Sequence, residues 1–210
     1  MNGWLTCDLV EELQQAASLG RPTTTFVDSL TAATLPGLVE YGCAKWHHPS
    51  LPSLPSAVIT SSLGNALLQV RSDIGLRADG DQRSPPRTIT PEPHEFFVLE
   101  GIDPTLNRDW NEFLVRFRQS ARSVGFTQDK AQGLAAALGE MADNAIDHSR
   151  SETGALVGYQ VVNGAEVCCI ADVGVGVLAS LREHQDFRYL ATHTEEGQVG
   201  ATHFDAGSKQ

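Results

Sequence analysis

Ala155-Leu-Val-Gly-Tyr-Gln-Val-Val-Asn163-Gly164-Ala-Glu-Val-Cys-Cys-Ile-Ala-Asp172-Val-Gly174-Val-Gly176 is the stretch that decides the fold. Ala155 to Val162 and Glu166 to Ala171 are β-rich runs. Between them stands Asn163-Gly164, a dipeptide suited to the two positive-φ positions of a tight hairpin turn. Two antiparallel strands follow from this pattern. Asp172-Val-Gly-Val-Gly176 then closes the second strand, and Leu178 to His184 has the look of a further helix start.

Upstream of the hairpin, two amphipathic helices come in succession. Phe96 to Leu99 reads as a short strand, and Asp103 with Pro104 supplies an N-cap and a first-turn proline for the helix after it. That helix places Trp110, Phe113, Leu114, Phe117, Ala121 and Val124 on one stripe and ends at Gly125. Thr127 caps a second helix running to about His148, with Ala131, Leu134, Ala135, Leu138, Ala142 and Ala145 on its apolar face. Such faces must pack on something, and the strands are the available surface.

Residues 1 to about 75 alternate between short elements. Helices are expected near Asp8 to Leu19 and Leu35 to Trp46, a short strand at Ala57 to Thr60, and a helix near Leu63 to Val70. No chemical motif stands out there. Arg77 to Pro93 is rich in Pro, Asp, Arg and Gly and reads as a linker or long loop. The expected organisation is an N-terminal region over 1–76, small and α/β or helical, a linker over 77–94, and a domain over 95–210.

Composition narrows the function. Hydrophobic residues make up 41% of the 210, and no apolar run approaches the roughly 18 residues of a membrane-spanning helix. No membrane partner is expected. Met1 to Val10 lacks the basic flank and apolar core of an export signal, so cytoplasmic residence is the expectation. Fifteen Lys and Arg against 26 Asp and Glu give a formal charge of -11 without a basic cluster, which argues against a nucleic-acid partner. Cys7, Cys43, Cys168 and Cys169 form no CxxC pair and read as reduced structural thiols.

Within the second helix, Glu140-Met-Ala-Asp-Asn144-Ala-Ile-Asp147-His148 interrupts an Ala/Leu-rich element with charged and amide groups. Glu140 and Asn144 fall one turn apart on a stripe opposite Leu138 and Ala142. Such a pair is ordinarily a solvated face. The same pair also suits ATP hydrolysis, since an Asn oxygen is a hard ligand for magnesium and a Glu can polarise the attacking water. At the strand end, a carboxylate such as Asp172 can accept from the adenine amine, and Gly174 and Gly176 let a ligand approach the backbone. Turns favour Asp and Gly in any case.

Taken together, the two segments resemble the N box and the first glycine box of the GHKL (Bergerat-fold) ATPases, the family of type II topoisomerases, heat-shock chaperone ATPases, MutL proteins and sensor histidine kinases. The order, the intervening hairpin and the separation of 28 residues from Asn144 to Asp172 all suit it. The resemblance covers about residues 95–185. It implies an ATP-binding protein, with Mg2+ and ATP held between the helices and a lid on a two-layer α/β sandwich, helices over one face of a mixed sheet. It implies Asn144 for magnesium, Glu140 for water activation, Asp172 for the adenine amine, Gly174 and Gly176 for the entry to the lid, and Asp147 facing the nucleotide. A regulatory ATPase or kinase acting on a protein partner, or a nucleotide-gated interaction module, is the expected role.

The chain departs from the family after residue 187. Only scattered Gly197, Gly200 and Gly207 stand where a second glycine-rich box is usual. Either the phosphate grip is degenerate or the domain is incomplete at the C-terminus, and weak binding with slow or no hydrolysis is expected. His94 and His47-His48 sit beside prolines, which does not suit a phosphoacceptor helix, and His148 reads as a cap or surface group. Gly174-x-Gly176-x-x-Ala179 also fits a Rossmann dinucleotide fingerprint, the alternative being an oxidoreductase. The tight hairpin before it and the 34 residues after Gly176 argue against that.

Overall fold

The computed structural model of the protein describes residues 3–71, 94–99, 107–147 and 154–174. In chain order these form β1 (Trp4–Leu5), α1 (Cys7–Ser18), α2 (Thr24–Val27), β2 (Ala32–Ala33), α3 (Leu35–His47), α4 (Ser56–Ile59) and α5 (Ser62–Val70). They continue with β3 (His94–Leu99), α6 (Arg108–Ser123), α7 (Gln128–Asp147), β4 (Ala155–Val162) and β5 (Ala165–Asp172). The class is α/β, as the sequence indicates.

The hairpin forms as its turn residues dictate. Asn163 and Gly164 take φ of 52° and 75°, the left-handed pair that matches the twist of the flanking strands. Val162 consequently faces Ala165, and Leu156 faces Ala171. β3 pairs antiparallel with β4 on its other side, Phe97 opposite Val157, so the sheet order is β3-β4-β5. All three strands are antiparallel to their neighbours. Parallel pairing among the described residues occurs in a separate two-stranded sheet, where Trp4 faces Ala32.

Helices cover both faces of the three-stranded sheet. On one face, Leu35, Leu38, Val39 and Cys43 of α3 share a core with Phe96, Leu156, Cys169 and Ala171. On the other, Trp110, Phe113 and Phe117 of α6 and Ala135, Leu138, Ala142 and Ala145 of α7 pack with Leu99, Ala155, Val157, Tyr159 and Ile170. This corrects the expected two layers with helices over one face. The cause lies in β4, where Ala155 to Tyr159 are buried without a break. Such a run belongs to a strand shielded on both sides. Gly158 is part of the fit, since a Cβ there would stand 2.9 to 3.0 Å from Leu35 Cδ1, Phe96 Cδ1 and Val39 Cγ2.

The helix ends obey local rules. Thr34 Oγ1 accepts from the Gly37 amide at 3.1 Å, with Pro36 in the first turn of α3. Asn107 Oδ1 accepts from Asp109 and Trp110 amides at 2.9 and 3.2 Å and starts α6. Gly125, at φ 98°, ends it. Thr127 Oγ1 accepts from the Lys130 amide at 3.4 Å at the head of α7. The short strand expected at Ala57 to Thr60 is instead the single helical turn α4, entered from extended Pro55. A four-residue apolar run carries no period that separates the two.

Burial of aromatic side chains holds α6 on the sheet. Phe113 and Phe117 are fully buried, each contributing about 1.5–3 kcal/mol. Trp110 stacks on Phe113 at 5.2 Å, and Phe113 meets Tyr159 edge-on at 5.3 Å. Among the described residues no helix is long and apolar enough to cross a membrane. The expected linker at Arg77 to Pro93, the cap at Asp103 and Pro104, His148, and the helix at Leu178 to His184 lie outside the described residues.

Candidate functional site

α7 turns one stripe to the sheet and the opposite stripe to solvent. Ala131, Ala135, Leu138, Ala142 and Ala145 are buried, while Glu140, Asn144 and Asp147 are exposed on the far side. Gly133, farther up the same outward stripe, has open space where a Cβ would be. The backbone is therefore uncovered at Gly133. Asn144 is a lone neutral oxygen donor flanked along the helix by two carboxylates, Glu140 and Asp147.

Asp172 is the last residue of β5, and alternation assigns its side. Cys168 and Ile170 pack with α6 and α7, whereas Cys169, Ala171 and Val173 pack with α3. Asp172 is thus on the α7 side, as is its cross-strand partner Ala155. The carboxyl is half-buried, and Oδ1 accepts from the Gly174 amide at 2.8 Å. Burial raises its pKa above the ordinary value, and the Gly174 amide opposes that rise. A desolvated carboxyl with one amide partner has lone pairs left for a further donor.

The structure thus brings Asp172 and Gly174 together and sets Glu140, Asn144 and Asp147 along one helix on the same side of the sheet. Among the described residues no hydrogen bond or ion pair joins the two groups, and Gly176 and Ala179 lie outside them. No group of three or more His, Cys, Asp or Glu among the described residues could hold a metal. Asn144 by itself would supply a single oxygen to a cation, and the rest of the shell would have to come from water or a ligand.

Several polar groups, some of them buried, escape the motifs. Glu40 on α3 is 1% exposed, and neither of its carboxyl oxygens has a hydrogen-bond partner. Burial raises its pKa from the usual 4.5 to about 7, the Asp8 and Glu11 carboxylates of α1 add to the rise, and the nearby Cys7 thiol offsets part of it. Glu166, also raised to about 7 by burial, accepts from Ser120 Oγ at 2.9 Å. Arg116 grips Glu95 through two bonds of 2.8 and 2.7 Å, and Tyr159 Oη donates to Glu95 Oε2 at 3.2 Å. The signal for Glu40 was a single acid inside the apolar run Leu38-Val39-Glu40-Tyr41.

The cysteines fit their expected role as free thiols. Burial lifts Cys7 and Cys43 to about 12 and Cys168 to about 11, so they stay protonated near neutrality and are poor nucleophiles. Comparison with protein-family models, curated proteins and solved structures finds no match.

Proposed function

We propose that the protein binds Mg-ATP in the manner of the GHKL ATPases, with Asp172 at the end of β5 taking the adenine and the α7 residues Glu140, Asn144 and Asp147 taking the metal and phosphates. The observation that carries this is the alternation along β5, which leaves the half-buried Asp172 carboxyl on the α7 side of the sheet with acceptor capacity unfilled. An adenine amine supplies the donor that such a group lacks. Gly174 beside it carries no side chain to crowd the base.

The charge on α7 favours a metal with the nucleotide. Glu140 and Asp147 flank Asn144 on the outward stripe, and two carboxylates repel a bare triphosphate. A magnesium ion, which Asn144 would help to hold, would offset that repulsion. Glu140 is then placed to polarise a water. The role is that of a regulatory ATPase or kinase, or of a nucleotide-gated module for a protein partner. The dinucleotide alternative finds less support, because β5 is antiparallel to β4 where that motif requires parallel strands.

Calorimetric titration with Mg-ATP tests the reading on the wild type and on Asp172→Asn. A hydrogen bond to a charged acceptor contributes about 1.5–3 kcal/mol, so the variant is expected to bind roughly ten- to a hundredfold more weakly. Equal affinity in both proteins, or tight NADH binding indifferent to the change, overturns it.

A further inference from the structure

Helix α3 stands behind the end of β5, on the face opposite α7, and it touches the strand through a specific polar contact. The buried thiol of Cys43 donates to the carbonyl oxygen of Ala171 at 3.0 Å, across a sequence separation of 128. Ala171 is the residue before Asp172, and its cross-strand partner is Leu156. A Cβ on Gly42 would stand 2.5 Å from Leu156 Cδ2. The α3 backbone therefore lies directly against the pair of residues that precedes the strand end.

The helix is itself held from behind. Arg71, 5% exposed, donates from Nη1 to the Gly42 carbonyl at 2.6 Å, and its guanidinium lies 4.0 Å from the centre of the Trp46 ring. A fixed helix can fix the peptide it touches. The Ala171–Asp172 peptide sets the direction in which the Asp172 side chain leaves the strand. Because burial keeps the Cys43 thiol protonated, the donor is present throughout the physiological pH range.

We propose that Cys43 is a positioning residue for the nucleotide site: by its hydrogen bond to Ala171 it sets where the Asp172 carboxyl stands. The proposal rests on the nucleotide-binding reading of Asp172. It places a determinant of adenine recognition on the far side of the sheet, in a segment without a nucleotide motif of its own. Cys43→Ser keeps a donor at the position, Cys43→Ala removes it, and Cys43→Val removes it while filling the volume.

Two measurements on the full chain decide the proposal. The first, without nucleotide, is hydrogen exchange at the Gly174 amide, which donates to Asp172 Oδ1. The second is Mg-ATP affinity by calorimetry. Loss of one thiol hydrogen bond is expected to speed exchange and weaken ATP binding by roughly two- to fivefold in the Ala and Val variants, with the Ser variant close to wild type in both. If wild type binds ATP and Cys43→Ala and Cys43→Val match it in both measurements, the positioning role is refuted while the nucleotide reading stands. If no protein binds ATP but exchange still follows the donor, the nucleotide reading fails and the support of β5 by Cys43 remains. Should Cys43→Ala unfold, the Ser and Val variants carry the same comparison, and a Ser variant as impaired as Val refutes the hydrogen bond.

Discussion

Replacing Glu40 by Gln should flatten part of the pH dependence of stability. Glu40 is a carboxyl buried in α3 with neither oxygen hydrogen-bonded, and it titrates near 7 in the folded protein against an ordinary 4.5. Below pH 4.5 the group is protonated in both states and costs little. Between 4.5 and 7 the unfolded chain releases the proton while the folded chain still holds it, so stability falls as pH rises, and above 7 the loss is complete. The difference corresponds to about 3 kcal/mol as an upper figure, and to roughly 2 kcal/mol once residual solvent screening is allowed for. Gln has nearly the same shape and cannot ionise. Urea unfolding followed by circular dichroism, at several pH values from 4 to 8.5, gives the two stability profiles. The variant should gain about 2 kcal/mol relative to wild type between the ends of that range, the slope left in it including that of Glu166. Parallel profiles would show that Glu40 is hydrated or paired in solution and refute the argument.

Gly164→Ala puts a Cβ at φ 75° in the hairpin turn and should lower stability by about 1–2 kcal/mol, read from the midpoint of urea unfolding. An unchanged midpoint would show that the turn relaxes freely. Phe113→Ala opens a cavity between α6 and the sheet where the side chain is fully buried, with an expected cost of about 3–5 kcal/mol. A loss under 1 kcal/mol by the same assay would place the α6 layer off the sheet. For turnover, the steady-state phosphate-release rate of wild type should be very low and nearly the same in Glu140→Ala. Robust hydrolysis that depends on Glu140 would show that residues beyond 187 or a partner close the site.

What the sequence determined by itself was local. Asn163-Gly164 fixed the hairpin because few dipeptides accept two positive φ angles in succession, and the stripes of α6 and α7 were legible because a helix repeats every 3.6 residues. Thr34, Asn107 and Thr127 act as caps through atoms within three residues of themselves, although the sequence pointed to Asp103 rather than Asn107 for α6. The unbroken apolar run Ala155 to Tyr159 itself carries the mark of a doubly covered strand, whereas helices over one face is what the family resemblance implies.

Only the tertiary structure decided the rest. Which helix covers the second face of the sheet depends on α3, more than a hundred residues from β5, and no local pattern encodes a contact such as Cys43 with Ala171. The unpaired burial of Glu40 is likewise invisible before α1, α3 and β5 meet, since a lone Glu in a helix is ordinarily solvated. The side of the sheet on which Asp172 stands had the same dependence: strand alternation ties it to Ile170, but whether that side belongs to α7 or to α3 is set by long-range packing, whose free energy is shared among residues far apart in the chain.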